Sequence, residues 1–236
     1  MMTKSLYNSF SEALDLKKKL LAILIDPEKF ELKNTASFLR NLPLETTHLF
    51  VGGSTVPEGI TEDLVKELKL YTAKPILLFP GDVSQITNDA DGLLFLSLLS
   101  GRNPEYLIGQ HVKAVSKLRS TSLEIIPTGY ILIDGENESA VASVTQTKPL
   151  PQTAVQPIVD TAKAGELMGA KLMYLEAGSG AKVPVSSEII SAVKQELNIP
   201  LIVGGGIKTK EQIKNAYSAG ATMIVMGTAF ENNFPI

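Results

Sequence analysis

Three stretches in the second half of the chain carry the most chemical information: Tyr174-Leu175-Glu176-Ala177-Gly178-Ser179-Gly180, Gly204-Gly205-Gly206 and Gly227-Thr228. Each follows a short apolar run. Glycine lets backbone N–H groups approach an anion closely, and a helix N-terminus beyond it adds a favourable dipole. One such turn is a common tight turn. Three in succession point to a bound phosphate group. Within the first of them, Glu176 is an acid placed to take a proton from a hydroxyl, or to bond local backbone amides. In the first half, Asp26-Pro27-Glu28-Lys29 follows the run Leu-Ala-Ile-Leu-Ile, and Gly52-Gly53-Ser54-Thr55 follows the next. Asp26 could hold Mg²⁺ through a carboxylate oxygen or cap a turn. Ser54 could complete an oxygen shell or cap a helix. Asp82 reads as a loop residue, and His48 and His111 as structural.

Composition narrows the chemistry further. The 236 residues contain no cysteine and two histidines, which removes thiolate nucleophiles, cysteine-ligated metals and multi-histidine sites. With 22 basic and 25 acidic residues, the net charge of −3 gives no bulk attraction to nucleic acid or anionic lipid. The N-terminal residues 1–19 are polar and mixed in charge, without a signal peptide's apolar stretch. The apolar runs are too short to span a bilayer. The expectation is a cytoplasmic protein, with membrane contact at most peripheral.

These residues need elements to hold them. Short apolar runs alternate with amphipathic stretches, the pattern of repeated βα units. Strands are expected at 20–25, 48–51, 75–79, 92–98, 124–133, 171–175, 201–203 and 223–226. Helical spacing covers 61–71, 104–117, 159–168, 186–197 and 210–219, with Pro104 in a first turn and Ser186 and Thr209 as N-caps. Eight βα units in a chain of this length make one domain, residues 1–236, with a parallel α/β fold of the (β/α)8 barrel type. Such barrels work at the C-terminal ends of their strands, where Asp26, Ser54, Glu176 and the glycine-rich turns lie, whereas His48 falls at a strand start and His111 on a helix. Two places depart from regularity. The stretch 80–91 is too short and too rich in Pro, Gly and Asp for a full third helix. The stretch 134–157 reads as a long polar loop of the kind that is often functional. Only nine residues follow Gly227, so the last helix is expected to be curtailed. Lys171 begins a strand, so no lysine stands ready to form a Schiff base.

The chain resembles the geranylgeranylglyceryl phosphate synthase family, which includes bacterial heptaprenylglyceryl phosphate synthases. The resemblance covers nearly the whole chain. It rests on Ile25-Asp26-Pro27 with Lys29, Val51-Gly52-Gly53-Ser54, and Phe95-Leu96-Ser97-Leu98-Leu99-Ser100-Gly101-Arg102-Asn103-Pro104. It continues through Ile126-Pro127-Thr128-Gly129-Tyr130-Ile131-Leu132, the segment 174–181 and Val203-Gly204-Gly205-Gly206-Ile207. The resemblance implies a barrel lacking a normal third helix. It implies a transferase that moves a polyprenyl group, geranylgeranyl by expectation, from its diphosphate to the primary hydroxyl of sn-glycerol 1-phosphate. Asp26 and Ser54 would then hold Mg²⁺. Tyr174, Leu175, Glu176, Ala177, Gly178, Ser179, Gly180, Gly205, Gly206, Gly227 and Thr228 would bind glycerol phosphate. Asp26 and Glu176 would carry the catalysis, and an apolar groove near strands two to four would take the isoprenoid. A homo-oligomer, dimer or hexamer, is also implied. The residues alone leave two other readings open: a sugar-phosphate isomerase or aldolase, and a non-catalytic barrel that binds a phosphorylated ligand.

Overall fold

The computed structural model describes residues 5–227. Eight strands form one closed, all-parallel barrel in chain order: β1 (Leu20–Ile25), β2 (Thr46–Val51), β3 (Ile76–Leu78), β4 (Gly92–Leu98), β5 (Glu124–Leu132), β6 (Leu172–Glu176), β7 (Leu201–Gly204) and β8 (Met223–Met226). Closure comes from β1 pairing with β8, in the register Leu20↔Met223 to Ile23↔Met226. The longest ladder joins β4 to β5, from Gly92↔Glu124 to Leu98↔Tyr130.

Alternation along each strand divides the core in two. Leu20, Ala22, Phe50, Leu77, Leu94, Ile126, Leu172, Tyr174, Ile202 and Val225 fill the interior. Leu21, Ile23, Leu49, Ile76, Leu175 and Val203 face the surrounding helices. Continuing the inward parity takes Leu24 to Asp26, just past β1, and Tyr174 to Glu176, the last residue of β6, which aims both carboxylates over the barrel's C-terminal mouth.

The helices are α1 (Leu6–Asp15), α2 (Thr35–Arg40), α3 (Ile60–Tyr71), α4 (Gln110–Leu118), α5 (Ala140–Thr145), α6 (Val155–Leu167), α7 (Ser187–Glu196) and α8 (Lys210–Ala219). Ser186 caps α7, and Thr209 caps α8 in a reciprocal capping box with Gln212. Between β3 and β4 only a 3₁₀ turn (Val83–Gln85) is found, as the short spacing requires.

Several elements differ from the sequence reading, among them helix α2 (Thr35–Arg40), which its spacing did not announce. The expected loop 134–157 contains α5, whose N-cap Ser139 accepts from Ala142 N, and the first residues of α6. Helix α1 lies within a stretch read only as polar. Its Phe10 enters the barrel interior, and its N-terminus is fixed by the Glu124 carboxylate, which accepts from Leu6 N at 2.5 Å and Tyr7 N at 2.9 Å. Strand β6 begins and ends one residue later than expected, so Glu176 belongs to the strand itself. The expected curtailed last helix falls on residues 228–236, outside those described. Among the described residues no helix is long and apolar enough to cross a membrane.

Candidate active site

A cavity of about 590 Å³ opens at the C-terminal mouth of the barrel. Its polar end is built on the loops after β6 and β7. Glu176 is 7% exposed, and its Oε1 accepts from Gly178 N at 2.7 Å. Burial, opposed by the neighbouring Tyr174 hydroxyl and the bond from the Gly178 amide, pushes this carboxyl up to about 7. Tyr174 and Tyr130 stand beside it with ring centroids 5.3 Å apart, and burial followed by the Glu176 charge drives both phenols well above their ordinary value.

Gly205 shows why this corner needs glycine. Its φ of +79° is left-handed, and a Cβ there would lie 2.4 Å from Glu176 Oε1 and 2.7 Å from Gly178 N. The close approach leaves backbone amides lining the cavity. Among the described residues, no hydrogen bond engages the N–H of Gly180, Gly205 or Gly206. The neighbouring helix contributes less than expected. Gln212 Oε1 already accepts from Lys208 N and Thr209 N, so the start of α8 is closed by its own chain. An anion here would meet loop amides, with the Lys208 side chain at the rim.

Asp26 lies across the mouth. Its Oδ1 accepts from Glu28 N at 3.1 Å and its Oδ2 from Lys29 Nζ at 2.6 Å. The loop after β2 comes so close that a Cβ on Gly53 would meet Asp26 Oδ1 at 2.8 Å, which brings Ser54 to the same wall. That loop is gripped from the 3₁₀ turn. Gln85, buried, donates Nε2–H to Gly53 O at 2.8 Å and accepts from Gly53 N at 3.2 Å. Among the described residues no cluster of three or more ligating side chains forms. One carboxylate with a hydroxyl nearby suits a cation whose remaining ligands are water and phosphate oxygens, the habit of Mg²⁺.

Away from these groups the cavity becomes an apolar trough. Val83 and Ile86 of the third connection, Leu94, Phe95 and Leu96 of β4, and Ala114 of α4 line it. The trough occupies the place a helix after β3 would fill. Helix α5 roofs both ends: a Cβ on Gly178 would stand 2.8 Å from Ser139 Cβ, while Val141 and Val144 cover the trough.

The structure thus brings together Asp26, Ser54, Tyr174, Glu176, Gly178, Ser179, Gly180, Gly205, Gly206 and Gly227 around one cavity. Leu175 and Ala177 do not reach it. Strand alternation turns both into the outer core, although Ala177 N fixes the loop by donating to Gly204 O. Thr228 lies outside the described residues. His48 is structural, packed on Phe10 at 5.1 Å. His111, read as structural, lines the trough wall with its Nε2 3.1 Å from Ser97 Oγ. Lys171 sits at the opposite end of the barrel over the Tyr7 ring, away from any Schiff-base position. Gln85, Tyr130 and Lys208 were not singled out by sequence. Gln85 and Tyr130 are placed by contacts distant in the chain, though Tyr130 falls within one of the motifs above, and Lys208 by its local bond to Gln212.

Known proteins resemble the chain in sequence and in fold. The model of the PcrB family matches residues 14–235. The chain is 58% identical to the geranylgeranylglyceryl phosphate synthase of Zunongwangia profunda over 94% of each chain. It is 52% identical to that of Flavobacterium johnsoniae, over 99% of this chain and 98% of the relative. Among solved structures, the fold is similar to (S)-3-O-geranylgeranylglyceryl phosphate synthase from Thermoplasma acidophilum in complex with sn-glycerol-1-phosphate. The TM-score is 0.92 and the identity 32%, over 98% of this chain and 93% of that one.

Proposed function

The chain belongs to the PcrB family, and from that membership and the shape of the cavity we propose that it is a prenyltransferase. It joins a polyprenyl group, geranylgeranyl in the first instance, to the primary hydroxyl of sn-glycerol 1-phosphate. The observation that carries the reading is the continuity of one cavity. A buried carboxylate and unbonded loop amides form one end, and an apolar trough forms the other. The names of the relatives and the glycerol phosphate in the Thermoplasma acidophilum complex support it.

In this reading the phosphate of glycerol phosphate lies on the amides of Gly180, Gly205 and Gly206. Its hydroxyl then meets Glu176. A carboxyl with a pKa of about 7 is well matched to accept a proton near neutral pH. The glycerol oxygen forms a bond to C1 of the prenyl chain as the bond from C1 to the diphosphate breaks. The hydroxyl proton passes to Glu176 and diphosphate leaves. The trough keeps water from the allylic carbon and holds the tail by burying apolar surface. Asp26 and Ser54 are the residues that would hold Mg²⁺, which when bound supplies charge neutralisation at the leaving diphosphate. Lys29, bonded to Asp26 Oδ2, would keep that carboxylate oriented. We further propose that the protein works in the cytoplasm, meets its lipid substrate at a membrane surface, and assembles as a homo-oligomer.

The test is incubation of labelled sn-glycerol 1-phosphate with a graded series of prenyl diphosphates and Mg²⁺. The expected products are an ether-linked prenylglyceryl phosphate and one diphosphate per turnover. Absence of ether product from every member of the series would refute the assignment.

A further inference from the structure

Helix α4 does not begin as an α-helix. Residues Glu105–Gly109 form a π turn that runs directly into it. Such turns are rare and concentrate at functional sites. Here the turn has a geometric consequence for the trough. Tyr106, Gln110, His111 and Ala114 all line the cavity. On an unbroken α-helix, at about 100° per residue, Tyr106 and His111 would diverge by roughly 140° and could not share a wall. A π turn bonds residues five apart and closes much of that angle, so that Tyr106 and His111 both face the cavity.

The two residues then engage different partners. His111 packs edge-on against Phe95 at 4.4 Å and reaches Ser97 of β4. The Tyr106 hydroxyl donates to Val144 O at 3.4 Å, under the roof helix.

The outer side of the turn is held by one carboxylate. Glu105 Oε1 accepts from Gln110 Nε2 at 2.9 Å and from Lys113 Nζ. Its Oε2 lies over Gly109, where an added Cβ would stand 2.3 Å away. Gly109 has ordinary helical angles, φ −57° and ψ −52°, so its backbone would accept alanine. What glycine provides there is room for the carboxylate. Asn103 completes the hold: its Oδ1 accepts from Glu105 N, and its Nδ2 donates to Thr145 O at the end of α5.

We infer that the Glu105–Gly109 contact is a positioning device for the prenyl substrate. It fixes the π turn that puts Tyr106 and His111 on one wall of the trough. This rests on the prenyl-transfer reading above.

The experiment compares steady-state kinetics of wild type, Gly109→Ala, Glu105→Ala and Glu105→Gln, with melting temperatures on the same preparations. Gly109→Ala should displace the carboxylate and raise KM for geranylgeranyl diphosphate by about tenfold, a modest loss of fit in an apolar pocket. KM for glycerol phosphate should stay within about twofold, because that site is on other loops. Alanine's better helix propensity should leave the melting temperature unchanged or higher. Glu105→Gln, which keeps the shape and the acceptor oxygen, should behave as wild type. If Gly109→Ala does not fold, Glu105→Ala decides: it leaves Gly109 alone and should raise the same KM selectively.

An unchanged prenyl KM in the folded variant, or both KM values rising together, would overturn the inference. A wild type that turns over no prenyl diphosphate would overturn the transfer reading with it. An active wild type with indifferent variants removes the inference alone.

Discussion

Glu176→Gln, followed as a function of pH, tests whether this carboxylate is a working base or a structural bond. Burial raises its carboxyl from 4.5 to about 7 in the folded protein. Between those values the unfolded chain releases a proton that the folded chain retains. Stability therefore falls as pH rises from about 4.5 to 7, then levels off. At about 1.4 kcal/mol per pH unit, the ionised form costs the fold up to about 3 kcal/mol above pH 7. Glutamine removes that cost while its Oε1 can still accept from Gly178 N. For a chain of this size, about 3 kcal/mol is a rise in melting temperature of roughly 6–12 °C. Calorimetry should find wild type and variant alike at pH 4, and the variant more stable at pH 8. Its kcat should nevertheless fall by roughly 10²–10⁴-fold, the usual contribution of a general base. For wild type, kcat/KM should climb to a plateau as pH rises through about 7, since the deprotonated form is the active one. A stability difference that ignores pH, or a variant less stable at pH 8, would refute the burial argument. A kcat within threefold of wild type would remove the catalytic role.

Three further outcomes follow from the same geometry. His48, lowered to about 4 by burial and then by the Lys74 charge, stays neutral in the fold, so it contributes stability that is complete above pH 6.5 and lost as pH falls toward 4. Denaturant titrations of the Glu176→Gln protein should show that slope, and adding His48→Leu should flatten it. Asp26→Asn should abolish turnover in Mg²⁺ and leave the melting temperature within about 2 °C, because the Lys29 pair it loses is largely exposed and of the kind worth about 1 kcal/mol or less; full activity in the variant, or indifference of wild type to EDTA, would exclude a metal role. Gln85→Ala removes two bonds to the Gly53 loop and should cost about 2 kcal/mol in chemical denaturation. It should also weaken Mg²⁺-dependent activity more than glycerol phosphate binding.

The barrel was legible because strands buried on both faces must be apolar throughout, and Leu-Ala-Ile-Leu-Ile leaves little else for residues 20–25 to be. The polar site was legible for a related reason: in a parallel barrel, strand ends share one face, so Asp26 and Glu176 had to meet at the same mouth. What escaped was set by tertiary contact. Helix α1 is short, and only the barrel interior that receives Phe10 makes its apolar spacing count. The α5 sequence Ala-Val-Ala-Ser-Val-Thr has weak helix propensity and is held at both ends, by the Ser139 cap and by Asn103 on Thr145 O. The π turn leaves no signature in spacing, because five residues of it read as one loose helical turn. Leu175 and Ala177 came with a contiguous motif taken whole, whereas strand alternation turns them into the outer core, away from the cavity that Tyr174 and Glu176 line.

The missing helix after β3 deserves a physical reason, since omitting it exposes the side of a barrel strand. Strand β3 is only three residues long, and its outer positions Ile76 and Leu78 remain buried. That burial is supplied from neighbouring elements, including Leu64, Val65 and Leu68 of α3 within the same outer core. The omission therefore opens space above β4 without baring the strand below it. The 3₁₀ turn that replaces the helix does two jobs at once. Ile86, just past it, lines the trough, while Gln85 clamps the Gly53 loop against Asp26. The backbone there is packed so closely that a Cβ on Gly81 would stand 2.4 Å from Gly53 O. The apolar wall and the Gly53 loop beside Asp26 are thus tied to one 3₁₀ turn. A substitution that loosens that turn must disturb the prenyl end and the Asp26 end together, whereas one at Gly109 can reach the prenyl end alone. That difference is what makes the paired kinetics of Gln85→Ala and Gly109→Ala informative about where each substrate lies.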